Sequence, residues 1–424
     1  MGYYCEEYWV SDGTGQTRSE RKSNVYQHFV PTKLSILEIQ HDTDIVADIV
    51  RAEKALIEID GQRENLHDIE GLSRFLLRAE AISSSYIEGL CMGSKRLMQA
   101  ELNSAEPYTF KPDEAAAEIV GNIHALRSAF EIAQSSEQIR LDDITAIHNA
   151  LLIKTPIAKY AGKLRTVQNW IGGNSYNPLN AVHIPPAPEL VPELMEDLLN
   201  YCNREDISPV QQAAIAHAQF ETIHPFVDGN GRTGRALIQL ILRRHGLLKT
   251  FVPPISLILA TFSKSYIAGL NSVRFEGDKP DKTAMETINE WLSFFAGSCV
   301  RACDEVKGFS EKAVALEQQW RDALGSVRKK SALDVLLGKL VGVPVFTVNS
   351  VAHTIKRSYQ ATNPAIERLV AVGIAKPLSS AQRNRAYEVP TALDAFRAFE
   401  RQLASPAGNT RVQKPVRPVP LKQN

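Results

Sequence analysis

The sequence predicts a mainly α protein with one β-hairpin in its central region and a small module of short helices and strands near its C-terminus. Three observations carry this. Apolar residues recur at helical spacing through the first third of the chain; a Gly- and Asn-rich turn between two strand-like runs interrupts that pattern at 165–186; and from residue 328 the composition turns basic while the periodic segments shorten. With 424 residues, several folded units and a sizeable buried core are expected. Lys plus Arg and Asp plus Glu both number 48, so global charge names no partner. The expected boundaries are 1–110 for an N-terminal helical region, 111–307 for the central domain, 308–327 for a linking helix, 328–400 for the basic module and 401–424 for a disordered tail.

Residues 1–35 are polar and read as an irregular arm. The opening MGYYCEEYWVSDGTG carries acids and no apolar run, which excludes a secretory signal, and no stretch approaches the roughly 18 residues needed to span a bilayer. Five scattered cysteines without CxxC spacing fit neither a disulfide framework nor a zinc site, so a cytoplasmic protein with no membrane attachment is expected. Cys299 and Cys303 read as core residues. Between 36 and 105, Leu76, Leu77 and Ile82, and then Leu90, Leu97 and Met98, mark helices. Ile119, Ile123 and Leu126 mark another after Pro112.

Thr166, Val167, Trp170 and Ile171 suit a strand, Gly172, Gly173, Asn174 and Asn177 turn the chain, and Val182 to Ile184 return it. Helices resume at 190–201, 209–223, 233–245 and 282–307, with Gly246 placed to stop the third. A linking helix is expected at 310–324. Val348 to Lys356 and Thr362 to Ala371 then read as two short helices, followed by strands at 374–378 and 386–389, the order of a winged helix. Pro406, Pro415, Pro418 and Pro420 mark the tail as disordered.

The chemistry is concentrated in His224-Pro225-Phe226-Val227-Asp228-Gly229-Asn230-Gly231-Arg232-Thr233-Gly234-Arg235. Pro225 cannot continue the preceding helix, and Gly229 and Gly231 permit backbone angles that turn successive N–H groups inward as an anion nest. A helix follows directly, so its first amides and positive dipole end point at the same spot. Arg232 and Arg235 share one face and can fork onto phosphate oxygens. From Gly229 to Phe275 there is no acid while seven Lys or Arg occur, which suits polyphosphate. Asp228 is the one nearby carboxylate in sequence and is placed to hold Mg²⁺. His224, at the opposite lip, can take a proton from a hydroxyl. Gly229, Gly231 and Gly234 also match GxGxxG, but no strand precedes them and the next acid after Asp228 is Glu276, which excludes a dinucleotide fold.

This string resembles the Fic motif HPFx[DE]GNGRxxR at every fixed position, and 162–186 resembles the flap that precedes it in that family. The resemblance implies a protein adenylyltransferase with a Fic-type helical core. In that reading His224 is the base and Asp228 the Mg²⁺ ligand, Gly229, Asn230, Gly231, Arg232, Thr233, Gly234 and Arg235 form the nucleotide-binding stretch, and ATP is the AMP donor. The partner is a protein bearing a Ser, Thr or Tyr hydroxyl, docked as an added strand on the flap at Val182 and His183. Ser84-Ser85-Tyr86-Ile87-Glu88-Gly89 resembles the family's inhibitory pattern [ST]xxxE[GN]. Ser84 and Glu88 would be its inhibitory pair, Glu88 facing Arg235 where a γ-phosphate belongs; Ser85 and Glu88 equally match a helix-start capping box. Removal of AMP through Glu88 and a nucleotide-sensing DNA-binding regulator are the alternative activities, and a homodimer is an expectation from the family. His183 and His217 could instead be structural, and that is the preferred reading for His217. Between Arg328 and Val389 ten Lys or Arg stand against three Asp or Glu, which suits either DNA, with 362–371 as recognition helix and Arg383 and Arg385 in the wing, or a protein-binding winged helix with a solvated basic face.

Overall fold

The computed structural model describes residues 2–61, 69–105, 110, 113–277, 279–378 and 385–404. In chain order the elements are strands β1 (Gly2–Trp9) and β2 (Asn24–Pro31), then helices α1 (Thr43–Gly61), α2 (Ile69–Ile87), α3 (Ser94–Ala105), α4 (Glu114–Ser135), α5 (Leu141–Leu152), α6 (Val191–Cys202), α7 (Pro209–Ile223), α8 (Asn230–Arg244), α9 (Ile255–Thr261), α10 (Ser263–Leu270) and α11 (Lys282–Leu324). The C-terminal part holds α12 (Ala332–Lys339), β3 (Val345–Thr347), α13 (Val348–Ile355), α14 (Tyr359–Ala371), β4 (Lys376–Pro377), β5 (Ala386–Glu388) and α15 (Pro390–Leu403). The fold is mainly α, as expected.

Two compact units emerge, interleaved along the chain. One comprises Met1–Arg51, Arg127–His245 and Lys264–Gly297, the other Ala52–Leu126, Gly246–Ser263 and Ser298–Asn424. The first unit is built around α7 and α8. Helix α7 is buried from Val210 to Ile223 apart from Gln211, and α8 from Asn230 to Arg243. Helices buried on every face must be enclosed by neighbours. Their polar residues then need internal partners: Gln212 donates to the Tyr201 carbonyl at 2.8 Å, and the Trp291 indole N–H to the Ala214 carbonyl at 3.1 Å. Strands β1 and β2 pair antiparallel from Gly2↔Pro31 to Trp9↔Asn24. The irregular arm expected over 1–35 is therefore a hairpin, hidden in sequence because Glu6, Glu7 and the exposed tyrosines of β1 break the apolar alternation.

The second unit packs Phe75 of α2 against Phe309, with ring centroids 3.8 Å apart, and against Phe396 of α15 at 4.3 Å. Its buried Glu80 accepts from the Ser256 amide at 2.9 Å, and Asp60 caps the segment at 249–251 by taking the Thr250 and Phe251 amides. β3, β5 and β4 form a three-stranded antiparallel sheet in that order beside α12, α13 and α14. Helix α14 starts three residues earlier than expected because Ser358 caps it, accepting the Ala361 amide. The expected break between 307 and 310 is absent: α11 runs unbroken for 43 residues. Pro112, Arg383 and the tail at 405–424 lie outside the described residues.

All five cysteines are free; Cys202, Cys299 and Cys303 are buried, Cys5 is half-buried and Cys91 exposed. Among the described residues no group of three or more His, Cys, Asp or Glu is placed to hold a metal ion, and no helix is long and apolar enough to cross a membrane.

Candidate active site

Helix α7 is started by Ser208, whose side chain accepts the Gln211 amide, and by Pro209 at the first helical position. It ends at His224, whose backbone is left-handed with φ 49°. A non-glycine residue there costs about 1–2 kcal/mol, so the surroundings must hold it. Pro225 stops the helix, and Asn230 clamps the following loop from its far end: its Oδ1 accepts the Phe226 amide and its Nδ2 donates to the Phe226 carbonyl, both at 2.8 Å. Gly229 supplies the second left-handed residue, φ 78°, and a Cβ there would lie 2.8 Å from Leu151 Cδ2. Helix α8 opens at Asn230 with no side-chain cap on its first turn. The first amides of a helix with no side-chain cap form an anion site.

The underside of the loop rests on His148 of α5. Its ring stacks on Phe226, centroids 3.7 Å apart and 7° from parallel. The Gly162 amide donates to Nδ1 at 3.0 Å, so Nε2 carries the proton and donates to the Asp228 carbonyl at 2.9 Å. Burial pushes the His148 pKa down to about 4, keeping this bridge neutral.

Around this loop the expected residues fall as follows. The Asp228 side chain is 53% exposed and lies 3.5 Å from Arg232 Nη2, with its Oδ1 also taking the Gly229 amide. Arg232 and Arg235 are buried at the root of α8, and Arg235 Nη1 donates to the Tyr266 hydroxyl at 3.3 Å. That hydroxyl stands 2.8 Å from His217 Nε2, so His217 belongs to the support of Arg235. Gly234 serves packing: a Cβ there would stand 2.8 Å from Glu221 Oε1 and 2.9 Å from His217 Nδ1, so only glycine lets α7 and α8 approach this closely. Glu221 is a second carboxylate the linear reading missed, its Oε2 3.8 Å from His224 Nδ1. Its position three residues before the histidine, one helical turn back, was the available signal.

The flap corrects two expectations. Its arms meet at one β-bridge, Ile171↔His183, rather than a hairpin ladder, although Gly172 (φ 78°) and Gly173 (φ 72°) make the expected turn. Side chains hold the arms instead: Gln168 Nε2 donates to the Pro185 carbonyl at 2.9 Å. Val182 is 77% exposed and suits docking, but His183 is buried and donates from Nε2 to the Thr222 carbonyl at 3.0 Å. Burial, with the Arg274 charge beside it, lowers the His183 pKa to about 3. Asn169 Nδ2 donates to the Phe226 carbonyl at 3.0 Å, and Arg165 Nε to the His224 carbonyl at 2.9 Å. Flap side chains thus cap carbonyls at the end of α7, through Arg165 on His224 and Ile223, and one in the motif loop, through Asn169 on Phe226. Arg165 and Asn169 carried no motif signal, because their role exists only once the flap folds back.

In the second unit, Ser84 is buried and Glu88 exposed at the end of α2. Leu90 donates its amide to the Ser85 carbonyl at 3.0 Å and Gly89, φ 83°, to Tyr86 at 2.9 Å, the two bonds of a Schellman stop. The capping-box reading of Ser85 and Glu88 fails, because these residues end a helix rather than begin one. Glu88 instead sits at the negative end of the helix dipole, where a carboxylate is disfavoured.

Residues 138–242 match the Fic/DOC family and residues 46–131 its N-terminal region. Protein adenylyltransferase fic-1 of Caenorhabditis elegans is 33% identical over 166 residues, 37% of this chain and 30% of the relative. Protein adenylyltransferase Fic of Nematostella vectensis is 36% identical over 133 residues, 30% of this chain and 29% of the relative. The chain therefore spans less than a third of the length of these two relatives. A crystal structure of a Fic family protein from Desulfovibrio desulfuricans G20 superposes with TM-score 0.50 at 18% identity, covering 83% of this chain and 98% of that one, a likeness of fold alone.

Proposed function

The chain belongs to the Fic/DOC family, and from that premise we propose that it transfers AMP from ATP to a hydroxyl side chain of a protein. The observation that carries this is the loop between α7 and α8, which sets left-handed His224 at one lip and the start of α8, without a side-chain cap, at the other. ATP phosphates bind the amides after Gly229 with Arg232 and Arg235 behind them. Asp228, one exposed carboxylate, fits a Mg²⁺ ion that arrives with the nucleotide, since Mg²⁺ needs only one or two protein carboxylates when phosphates complete its shell. His224 removes the proton of the target hydroxyl, whose oxygen bonds to the α-phosphorus as the bond to pyrophosphate breaks. Glu221 at 3.8 Å favours the imidazolium so formed. An extended target segment pairs with the flap beside exposed Val182.

The same proposal gives Ser84 and Glu88 an inhibitory role. Its support is local: the Schellman stop fixes the position of exposed Glu88 at the end of α2, with Ser84 one turn earlier. The Glu88→Gly protein, given Mg²⁺ and ATP labelled at the α-phosphate, is expected to incorporate at least tenfold more label into protein than the parent. Equal label in both would remove the inhibitory role; label in neither, with nucleotide bound, would remove adenylyl transfer.

Duplex DNA is the proposed partner of the module at 328–400. Its helix and strand order, with the sheet order β3-β5-β4, supports a winged helix, and Arg357 donating to the Lys330 carbonyl at 3.4 Å brings two basic turns together near the exposed start of α14. Retention on duplex DNA that falls steeply as salt rises is the expected result for the full chain, and no retention at about 20 mM salt would remove this partner.

A further inference from the structure

Arg165 lies on the first arm of the flap and is 2% exposed. All its donors end on carbonyls. Nε reaches His224 at 2.9 Å, Nη2 reaches Pro186 and, at 3.4 Å, Ile223, Nη1 reaches Val167 at 3.2 Å, and the backbone N–H reaches Pro225 at 2.9 Å. Among the described residues no carboxylate accepts from it. Glu189 acts on its charge only through space, and burial lowers its pKa to about 10. A guanidinium buried among carbonyl dipoles is an expensive choice where stability alone is at stake, because well-packed apolar residues do as well.

What these bonds join is informative. Ile223, His224 and Pro225 are the end of α7 and the start of the motif loop, with His224 in the left-handed conformation that local preference disfavours. Val167 and Pro186 lie on the outgoing and returning arms of the flap. One planar fork therefore holds the residue that carries the base and both arms of the surface that receives the target. A lysine, with three donors on one point charge and no fixed fork, cannot bond all four of these carbonyls.

We propose that Arg165 is a positioning residue for adenylyl transfer, locking the His224 turn to the flap so that the imidazole and a flap-docked hydroxyl keep one register. The inference rests on the proposed function for its catalytic part, and its structural part stands separately. Two variants, Arg165→Gly and Arg165→Lys, are compared with the parent, all carrying Glu88→Gly. The expected result is a loss in kcat of about a hundredfold, the scale of a misplaced reacting group. Calorimetry should still give one Mg·ATP per chain with Kd within about threefold, because the nucleotide sits on α8. Guanidinium in the buffer should restore at least a tenth of the lost rate to Arg165→Gly and none to Arg165→Lys, whose side chain fills the space.

Rates within threefold of the parent in both variants would overturn the proposal. A parallel fall of rate and nucleotide stoichiometry without guanidinium rescue would do the same, since it marks general loss of structure. A second readout does not depend on activity. In ¹³C-histidine-labelled protein, with His224 assigned through His224→Ala, Arg165→Lys should shift the His224 resonance and leave His148 and His217 in place. If the parent transfers no AMP, the proposed function fails while this spectrum still shows whether Arg165 holds the turn; an unmoved His224 signal refutes the lock itself.

Discussion

Replacing His224 with asparagine is expected to reduce AMP transfer about a thousandfold while leaving Mg·ATP affinity within a factor of three. General-base catalysis contributes on the order of 10²–10⁴ in rate, and His224 stands at the opposite end of the motif loop from the amides expected to bind phosphate. Asparagine is preferred to alanine for this test because it tolerates the left-handed backbone seen at His224, φ 49°, so the loop should persist. Single-turnover transfer of labelled AMP and calorimetric binding give the two quantities. A loss of less than tenfold would mean that another group takes the hydroxyl proton, with Glu221 as the nearest alternative at 3.8 Å from Nδ1.

Acid should unfold the first unit between pH 6 and 4. Burial depresses the pKa of His148 to about 4 and, with neighbouring arginine charge, of His183 and His217 to about 3. Burial keeps each of them neutral, His148 between the Gly162 amide and the Asp228 carbonyl, His183 against the Thr222 carbonyl and His217 against Tyr266. The unfolded chain binds these protons near pH 6.5, the folded chain only near 3 to 4, so stability is complete above about 6.5 and declines as pH falls toward the folded values. At pH 5 each group should have withdrawn about 2 kcal/mol, and the three together approach the 5–15 kcal/mol typical of a whole domain. Urea midpoints followed by circular dichroism from pH 7.5 to 4.5 should fall steeply over this interval. A midpoint at pH 5 equal to that at pH 7.5 would show that these imidazoles titrate normally.

The motif loop was legible because its residues act locally: proline fixes its own φ, glycine permits left-handed angles, and Asn230 bonds the backbone only four residues away. The helices α6, α7 and α13 were legible from periodicity and caps for the same reason. Residues that act at a distance were not. Arg165 and Asn169 cap carbonyls some 57–59 positions away, and His183 reaches back from Thr222 across 39. In sequence His183 could be a docking edge or a structural histidine, and only the folded-back arm turns it inward. Gly234 has a packing role that its place in a glycine-rich string does not announce: its missing side chain makes room for Glu221 and His217. The hairpin of β1 and β2 escaped notice because exposed tyrosines and glutamates occupy both faces of its first strand.

Burial sorts the thiols of this protein into two classes. It raises the pKa of Cys202 and Cys303 to about 12 and that of Cys299 well above the ordinary thiol value, so none of the three yields thiolate near neutrality. Alkylating dyes will therefore attach at Cys91 and, more slowly, at half-buried Cys5. With Cys5 changed to serine, a single fluorophore stands three positions beyond Glu88, a site from which emission can follow movement of that helix end as nucleotide is added.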